Sequence, residues 1–304
     1  DVCSSDLIWV CGEVLIDLIP SGTQRIPIVG GGPANTAKAL SKLGFDACFI
    51  DGISTDSYGQ MVRKELLADG VNIKYSKMIE KPTALAVVTL SEAGSATYEF
   101  LLKDTATFDF QTSWLPDSKS NPPALLHIGT LATVVEPAAS TLFKWASEVS
   151  KNSIVVFDPN VRPAVISDRD NYKKAVERWL SISDVVKMSI EDANWLYPGK
   201  NLNEITKEWL SKKTKLIVVT KGEDGISAFT SDESFEVPAV KVSVSDTVGA
   251  GDTVGAIVVE AIVEIGLDNL KGEKLQSMLS RATKAAAITV SRSGAKPPTK
   301  NEII

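Results

Sequence analysis

Residues 246–252 read Asp246-Thr247-Val248-Gly249-Ala250-Gly251-Asp252, and an apolar run from Thr253 to Ile265 follows them directly. The two glycines let the backbone turn tightly and bring its amide groups close to a ligand. The apolar run is predicted to form a helix, whose free N–H groups and positive dipole end would face the same ligand. This arrangement predicts a phosphate or oxyanion site at the start of the helix.

Asp252 ends this stretch, and its carboxylate would repel a bound anion unless it had a chemical task. Taking a proton from an attacking hydroxyl group is the natural task for a carboxylate in that position. The glycines, the helix and the acid together predict phosphoryl transfer to an alcohol.

The composition is that of a soluble globular protein: of 304 residues, 44% are hydrophobic and 23% are charged. A net charge of −6 argues against nucleic-acid binding and against association with an anionic membrane surface. Three cysteines are too few for a disulfide framework, so we expect a reducing, cytoplasmic location. One histidine and no cysteine cluster argue against a zinc site, and no apolar run is long enough for a membrane span. The polar residues 1–6 are expected to be a tail.

Strand and helix patterns alternate from residue 124 onward, which favours a mostly parallel sheet covered by helices on both faces. Two earlier hairpins, at about 13–29 and 83–103, interrupt this alternation; the second is predicted to turn at Glu92-Ala93-Gly94. We therefore expect one α/β domain over residues 1–304, with a three-layer α/β/α, Rossmann-like sheet and a small inserted β-sheet lid. The strands expected after residue 124 are Leu125–Ile128, Ile154–Phe157, Val185–Lys187 and Leu216–Thr220, with a late hairpin of Ile226–Phe229 and Phe235–Val237.

A second glycine motif, Gly30-Gly31-Gly32-Pro33-Ala34-Asn35, precedes a predicted helix that ends at Gly44. Its exposed amides and the Asn35 side chain suit a ligand with several hydroxyl groups, such as a sugar. Asp17 lies in the middle of a predicted lid strand and could accept two sugar hydroxyls. The alternatives are a glycine loop that only eases chain reversal and an Asp17 that faces solvent on an edge strand.

Polar motifs also follow the predicted parallel strands, whose carboxyl ends are where ligands bind in such sheets. These motifs are Gly12-Glu13, Gly129-Thr130, Asp158-Pro159-Asn160-Val161-Arg162 and Thr220-Lys221-Gly222. The motifs of other nucleotide-binding and hydrolase folds are absent: there is no Walker sequence, no dinucleotide glycine fingerprint and no serine elbow. His127 is expected to be a core residue at a strand end.

With these motifs the chain resembles the ribokinase-like sugar kinases of the phosphofructokinase-B type over nearly its whole length. The family's Asp-Thr-x-Gly-Ala-Gly-Asp motif is intact at 246–252, and its N-terminal glycine motif resembles Gly30–Asn35. Within the family, bacterial fructokinases are the most similar. The segments that carry this closer resemblance are Cys11–Asp17, Asp158–Pro163, Lys187–Leu196 and Ser291–Pro298.

The resemblance implies an ATP-dependent kinase for a ketohexose, most closely fructose at its 6-hydroxyl, that uses Mg²⁺ and, as in some members, K⁺. Asp252 would be the catalytic base, and the amides of Gly249, Ala250 and Gly251 would form the anion hole. Glu191 would help to place Mg²⁺ through water, and Asp246 would contribute to a monovalent cation site. The residues implied at the sugar are Asp17, Gly31, Gly32, Asn35 and Arg162. Arg162 would reach either the sugar or the transferring phosphate. The residues implied at the nucleotide are Lys187, Thr220, Gly222, Gly225, Gly249 and Gly251.

The chain departs from the family pattern at three places. Met188 stands where Asn is usual three residues before the metal-placing acid, Lys221 replaces a commonly apolar residue, and Val254-Gly255 replaces the usual Phe-Asn or Phe-His. Metal binding would then depend more heavily on Glu191.

The sequence is also compatible with other functions within this fold. The position of Arg162 after Asp158 and Asn160 also resembles the arginine of 2-keto-3-deoxygluconate kinases, whose acidic sugar requires a cation. Those kinases usually have Leu-Trp shortly after the arginine. Here Pro163-Ala164-Val165 follows instead, which favours a neutral sugar. Ribose or a nucleoside is a further alternative, and a catalytically silent sugar-binding protein is an alternative of a different class. The lid would have exposed strand edges that could pair with a second copy in a homodimer or stay open.

Overall fold

A computed structural model describes residues 7–90 and 96–303 of the chain. Each strand expected after residue 124 is present, and its bounds lie within two residues of the expected ones. The strands in the described ranges are β1 (Ile8–Cys11), β2 (Leu15–Ser21), β3 (Gln24–Gly30), β4 (Ala47–Ile50), β5 (Gly52–Ser54), β6 (Lys77–Ile79), β7 (Leu85–Leu90), β8 (Ala96–Leu101), β9 (Leu125–Gly129), β10 (Ile154–Asp158), β11 (Val185–Ser189), β12 (Leu216–Thr220), β13 (Ile226–Phe229) and β14 (Ser234–Val237). The helices are α1 (Gly32–Lys42), α2 (Ser57–Ala68), α3 (Ala138–Val149), α4 (Arg169–Leu180), α5 (Ile190–Leu196), α6 (Leu202–Leu210), α7 (Ala250–Ile265) and α8 (Glu273–Val290).

The main sheet has eight strands in the order β14-β13-β12-β11-β10-β9-β1-β4. The strands from β12 to β4 are parallel, and β13 and β14 extend the sheet as an antiparallel hairpin. Ile8 and Val10 of β1 pack into a core with α1, α2, α7 and α8, whereas Trp9 and Cys11 pack into a second core with α3 to α6. Helices therefore cover both faces, and the expected mostly parallel α/β sheet is confirmed.

A second sheet has the order β3-β2-β7-β8 and is built from the two hairpins that interrupt the alternation. In it, β2 pairs with β3 in antiparallel fashion and with β7 in parallel. The turn at 92–94 and the polar residues 1–6 lie outside the described residues. A short parallel pair, β5 with β6, has no counterpart in the sequence-based expectation because each strand has only three residues.

Two helix starts illustrate how local sequence sets the fold. Asp56 caps α2, since its carboxylate accepts the Gly59 N–H at 2.7 Å. Helix α7 begins at Ala250, three residues earlier than the apolar run indicated. Ala250 and Gly251 carry no large apolar side chain, so the sequence pattern could not reveal that their backbone is already helical. Asp252 consequently lies in the first turn of α7.

The six parallel strands of the main sheet end at one edge, and the polar motifs of the sequence follow these ends. In the described part of the chain, no helix combines the length and the apolar character that crossing a bilayer requires.

Candidate active site

A cleft of about 1560 Å³ lies where the carboxyl edge of the main sheet meets the second sheet. It draws residues from the ends of β1, β9, β10, β11 and β12, from β2 and β8, and from the start of α7. Asp246 is not among the residues that line it. The expected site residues that do line it are Asp17, Gly31, Gly32, Asn35, Arg162, Lys187, Glu191, Thr220, Gly222, Gly225, Gly249, Ala250, Gly251 and Asp252.

Asp252 is 8% exposed and faces this cleft. Its Oδ2 atom accepts a hydrogen bond of 2.9 Å from the Asn35 side-chain amide. Burial raises the pKa of Asp252 to about 6, although the nearby Lys187 charge acts in the opposite direction. A carboxyl group with this pKa is ionised at neutral pH and is well matched to accept a proton.

The backbone before Asp252 presents free donors. Gly249 adopts a left-handed conformation with φ of 78°, and α7 begins at the next residue. In the ranges that the structure covers, the N–H groups of Gly249 and Gly251 donate to no acceptor, while that of Ala250 makes a long bond of 3.4 Å to the Thr247 carbonyl. Free amides at a helix N-terminus can bind an anion, so this geometry can hold a phosphoryl group beside Asp252.

Lys187 places a positive charge beneath these amides. Its ammonium group lies 2.8 Å from Asp158 Oδ2, and both side chains are at most 5% exposed. A Cβ atom on Gly251 would lie only 2.9 Å from Lys187 Nζ, so glycine lets the ammonium approach the backbone. Burial alone would lower the pKa of Lys187, but the carboxylates of Asp158 and Asp252 outweigh it, and the pKa is raised. The lysine is therefore charged at neutral pH.

His127 lies on β9 and is 1% exposed, which confirms the core placement. Burial lowers its pKa to about 4, so the imidazole is neutral at physiological pH.

Asp17 projects from β2 into the cleft and lies over Gly30, where a Cβ atom would come within 2.2 Å of Asp17 Oδ2. Burial raises the pKa of Asp17 to about 6, and the positive charge of Arg162 partly opposes this shift. Arg162 itself is exposed and donates from its guanidinium to the Val161 carbonyl at 3.0 Å. The two residues thus form a polar wall with one negative and one positive group.

The glycine motif forms the floor of the cleft beside Asp252. Gly31 has a φ of 112°, and a Cβ atom there would lie 2.5 Å from the Glu13 carbonyl oxygen. A Cβ atom on Gly32 would lie 3.3 Å from Asp252 Oδ1. Asn35 Oδ1 is buried and has no hydrogen-bond partner in the described ranges. It is available to accept a hydroxyl from a ligand on this floor.

Glu13 and Thr130 also line the cleft, and sequence analysis recognised them only as polar residues at strand ends. Glu13 is 2% exposed; it accepts the Thr130 hydroxyl and, at 3.0 Å, the Ala132 N–H. Burial raises the pKa of Glu13 to about 7, against the effect of these hydrogen bonds. A contact between residues 117 positions apart leaves no signal in a single sequence.

The far end of the cleft is more apolar. Gly225 has a φ of 102°, and a Cβ atom there would lie 2.1 Å from the Val237 carbonyl oxygen, so glycine is required. Val240, Val242 and Val244 line this end and are 44%, 41% and 61% exposed. Exposed apolar side chains grouped beside a cleft are typical of a binding surface. Their alternation with polar residues was the available sequence signal, but it is equally typical of a strand.

The two residues expected to bind cations, Glu191 and Asp246, differ in their position relative to the cleft. Glu191 lies at the start of α5, faces the cleft and is exposed, and within residues 7–90 and 96–303 its carboxylate has no hydrogen bond or ion pair. Asp246 lies outside the lining and accepts the N–H groups of Val248 and Gly294 at 3.0 and 2.9 Å. The described residues contain no cluster of three or more His, Cys, Asp or Glu side chains suited to a metal.

The sequence matches one family of known proteins over nearly its whole length. The family described as pfkB family carbohydrate kinase matches residues 7–302. A fructokinase from Rhizobium leguminosarum bv. trifolii is 34% identical over 269 residues, which cover 87% of this chain and 81% of that protein.

Solved structures are similar over the whole fold. The fructokinase of Xylella fastidiosa with bound ATP superposes with a TM-score of 0.91 at 24% identity, covering 98% of this chain and 97% of that one. The fructokinase of Vibrio cholerae O395, in a form with fructose, ADP and calcium ion bound, has a TM-score of 0.87 at 25% identity, covering 99% and 98% of the two chains.

Proposed function

The chain belongs to the pfkB family of carbohydrate kinases, and we propose that it transfers the γ-phosphoryl group of ATP to the 6-hydroxyl of fructose. The observation that carries this proposal is the position of Asp252. A buried carboxylate with a raised pKa lies in the first turn of α7, beside free backbone amides and over the glycine floor of the cleft.

In the proposed reaction, Asp252 accepts the proton of the 6-hydroxyl as that oxygen attacks the γ-phosphorus. The bond to the bridging oxygen breaks, and ADP leaves. The amides of Gly249 and Gly251, with the Lys187 ammonium beneath them, stabilise the charge on the transferring group. Preorganised donors of this kind supply most of the catalysis in phosphoryl transfer.

Glu191 fits a role in placing Mg²⁺. Mg²⁺ prefers oxygen ligands, keeps several waters and is commonly held by one or two carboxylates together with substrate phosphates. An exposed carboxylate that faces the cleft suits that mode of binding. When bound, the ion would neutralise negative charge on the phosphates of ATP.

The two ends of the cleft suit different substrates. We assign ATP to the end lined by Thr220, Gly222 and Gly225, where the exposed valines at 240, 242 and 244 would contact the base. We assign the sugar to the end lined by the residues that contact or face Asp252. The sugar residues are Asp17, Gly31, Gly32, Asn35 and Arg162.

Fructose is the favoured sugar because relatives and a structural neighbour of this chain are fructokinases, and that neighbour holds fructose and ADP. Asp17 lies in the cleft together with Arg162, and its negative charge disfavours an acidic sugar such as 2-keto-3-deoxygluconate. An ATP-consuming enzyme in which Cys11 and Cys48, the cysteines within the described residues, are free and buried suits the cytoplasm, and we assign it there.

A panel of sugars assayed by ADP release tests this assignment. We expect fructose to give the highest kcat/KM, ahead of ribose and 2-keto-3-deoxygluconate. A preference for one of the other two would reassign the substrate. Fructose binding without any ADP release would instead favour a sugar-binding protein that lacks catalysis.

The activity should depend on the ionisation of Asp252 and Asp17, whose pKa values are both raised to about 6. Protonation removes the base in one case and a hydroxyl acceptor in the other, so activity is lost as the pH falls. We expect log(kcat/KM) for fructose to be level only above about pH 8, because the pKa of Glu13 in the same cleft is raised to about 7, and to fall by more than about one per pH unit below about pH 6. Asp17→Asn should lower the activity and bring that slope back to about one. A profile that stays level down to about pH 5 would be inconsistent with this assignment.

We further propose that the second sheet acts as a lid over the sugar. We also propose that the exposed part of the face that carries Asp17 joins two chains in a homodimer. Strand register places Ile26 and Ile28 of β3 on the same face as Asp17, and they are 51% and 41% exposed. Tyr98 of β8 is also exposed and lines the cleft. A second copy packed on this face would bury these side chains.

Sedimentation velocity tests the dimer. The wild type should sediment as a dimer at micromolar concentration, and Ile26→Lys should sediment as a monomer because it would place a charge in the interface. Leu67→Lys is the matched control, since Leu67 is a similarly exposed apolar residue on α2. A monomeric wild type would exclude the proposed interface.

Asp246 remains our candidate for a monovalent cation site near the anion hole. It joins the loop before α7 to Gly294, so a cation bound there would stabilise that loop.

A further inference from the structure

Thr130 has an unusual backbone conformation for its residue type. Its φ is +61°, in the left-handed region, where a β-branched side chain is a genuine outlier. Such conformations cost free energy and persist where surrounding contacts impose them, often at functional sites. Thr130 follows β9 directly and lines the sugar end of the cleft.

Glu13 supplies contacts that hold Thr130. One carboxylate oxygen accepts the Thr130 hydroxyl, and the other accepts the N–H of Ala132 in the same turn. The carbonyl oxygen of Glu13 also packs against Gly31. Glu13 therefore joins three parts of the sugar end: the segment that leads into β2, the glycine floor and the turn after β9.

The methyl group of Thr130 points at the floor. A Cβ atom on Gly32 would lie 2.8 Å from Thr130 Cγ2, 3.1 Å from Asn160 Nδ2 and 3.3 Å from Asp252 Oδ1. A methyl, an amide and the catalytic carboxylate thus surround one small space over Gly32. An acceptor hydroxyl must enter the same neighbourhood to reach Asp252, so the methyl restricts how a sugar can lie there.

We propose that Thr130 is a specificity-determining residue for the sugar and that Glu13 is the positioning residue that holds it in the left-handed conformation. This inference rests on the proposed function, because it concerns the sugar end of the same cleft. It assigns Glu13 no contact with the substrate; Glu13 acts through the Thr130 hydroxyl.

A second buried pair at the same chain segment provides a matched control. The Thr107 hydroxyl donates to Asp51 Oδ2 at 2.6 Å, and the N–H of Val14, the residue after Glu13, donates to the same oxygen at 2.9 Å. Thr107 and Asp51 are buried but do not line the cleft. The Thr107 hydroxyl oxygen also accepts the Val14 N–H at 3.1 Å, but that N–H would keep its bond to Asp51 in Thr107→Val. The variant therefore removes the same type of hydrogen bond without changing a side chain that lines the cleft.

Three variants separate the parts of the proposal. Thr130→Ser keeps the hydroxyl and removes the methyl. Thr130→Val keeps the methyl and removes the bond to Glu13. Glu13→Gln keeps the size of the side chain, but its single carbonyl oxygen must replace two carboxylate oxygens. Each is assayed for KM with fructose, KM with ATP and melting temperature, and for the ratio of kcat/KM between fructose and its epimer tagatose.

We expect Thr130→Ser to change the fructose-to-tagatose ratio by about tenfold, the usual effect of one methyl in a binding pocket. Thr130→Val and Glu13→Gln should raise KM for fructose by about tenfold and leave KM for ATP within about twofold of the wild type. The double variant Glu13→Gln/Thr130→Val should have a KM for fructose no higher than that of the more affected single variant, because both changes remove the same interaction. Thr107→Val should lower the melting temperature without moving KM for fructose.

The proposal is overturned if all three variants keep the wild-type KM for fructose and sugar ratio. It is also overturned if KM for fructose changes equally in Thr107→Val, or if Glu13→Gln and Thr130→Val are additive. Thr130→Ser keeps the Glu13 bond, so it supplies an answer even if the other variants fail to fold. A wild type that phosphorylates no sugar would refute the proposed function itself, which is a separate outcome.

Discussion

Asp252→Asn should lose about 10²–10⁴-fold in kcat, the usual effect of removing a general base. The amide cannot accept the hydroxyl proton, but its oxygen can still accept the Asn35 hydrogen bond that now reaches Asp252 at 2.9 Å. The shape of the cleft should therefore be retained, and the fructose dissociation constant should stay within about threefold of the wild type. Steady-state ADP release gives kcat, and calorimetry gives the affinity.

Asp268→Asn serves as the control for this variant, because Asp268 is a surface residue that pairs with Lys215 at 2.9 Å and does not line the cleft. It should keep wild-type turnover. Near-normal turnover in Asp252→Asn would contradict the base assignment. A loss of fructose affinity as large as the loss of turnover would instead show that Asp252 acts mainly in binding.

Lys187→Met should have the second large effect, on both stability and turnover. The change leaves the Asp158 carboxylate buried without its partner, and breaking a buried ion pair in this way costs about 3–5 kcal/mol. It also removes a positive charge beneath the phosphoryl site, and loss of one such preorganised group typically costs about 10²–10³-fold in kcat. Urea unfolding and ADP release measure the two effects.

The double variant Lys187→Met/Asp158→Asn separates these roles. Neutralising Asp158 removes the uncompensated charge, so most of the lost stability should return. Turnover should remain low, because the ammonium is still missing. Recovery of turnover together with stability would mean that Lys187 serves the fold alone.

Local signals in the sequence were sufficient for much of this structure. The capping of α2 by Asp56 depends on residues only three positions apart, and Gly70, a typical helix-ending residue, follows that helix with a positive φ of 82°. The alternation of strands and helices after residue 124 likewise reflects short-range hydrophobic patterns. Because parallel strands end at one edge, the polar motifs after them could be expected to meet, and residues from them do line one cleft.

Contacts between distant residues could not be predicted in the same way. The bonds that Thr130 donates to Glu13 and that Lys187 donates to Asp158 join different strand ends, and each residue by itself resembles an ordinary polar side chain at a turn. The early start of α7 was missed because helical backbone at Ala250 and Gly251 has no apolar signature. Exposed valines at 240, 242 and 244 have the pattern of a strand, so only their placement beside the cleft indicates a role in binding.

The most direct test of the central claim is a crystal structure of the protein with fructose and a non-hydrolysable ATP analogue. In that structure, we expect the 6-hydroxyl of fructose to lie within about 2.6–3.2 Å of an Asp252 carboxylate oxygen, the range in which a base can take a proton. The γ-phosphate should contact the amides of Gly249 and Gly251. Asp252 and the γ-phosphate should lie on opposite sides of that hydroxyl. A sugar bound with no hydroxyl near Asp252, or a γ-phosphate held away from the start of α7, would contradict that claim.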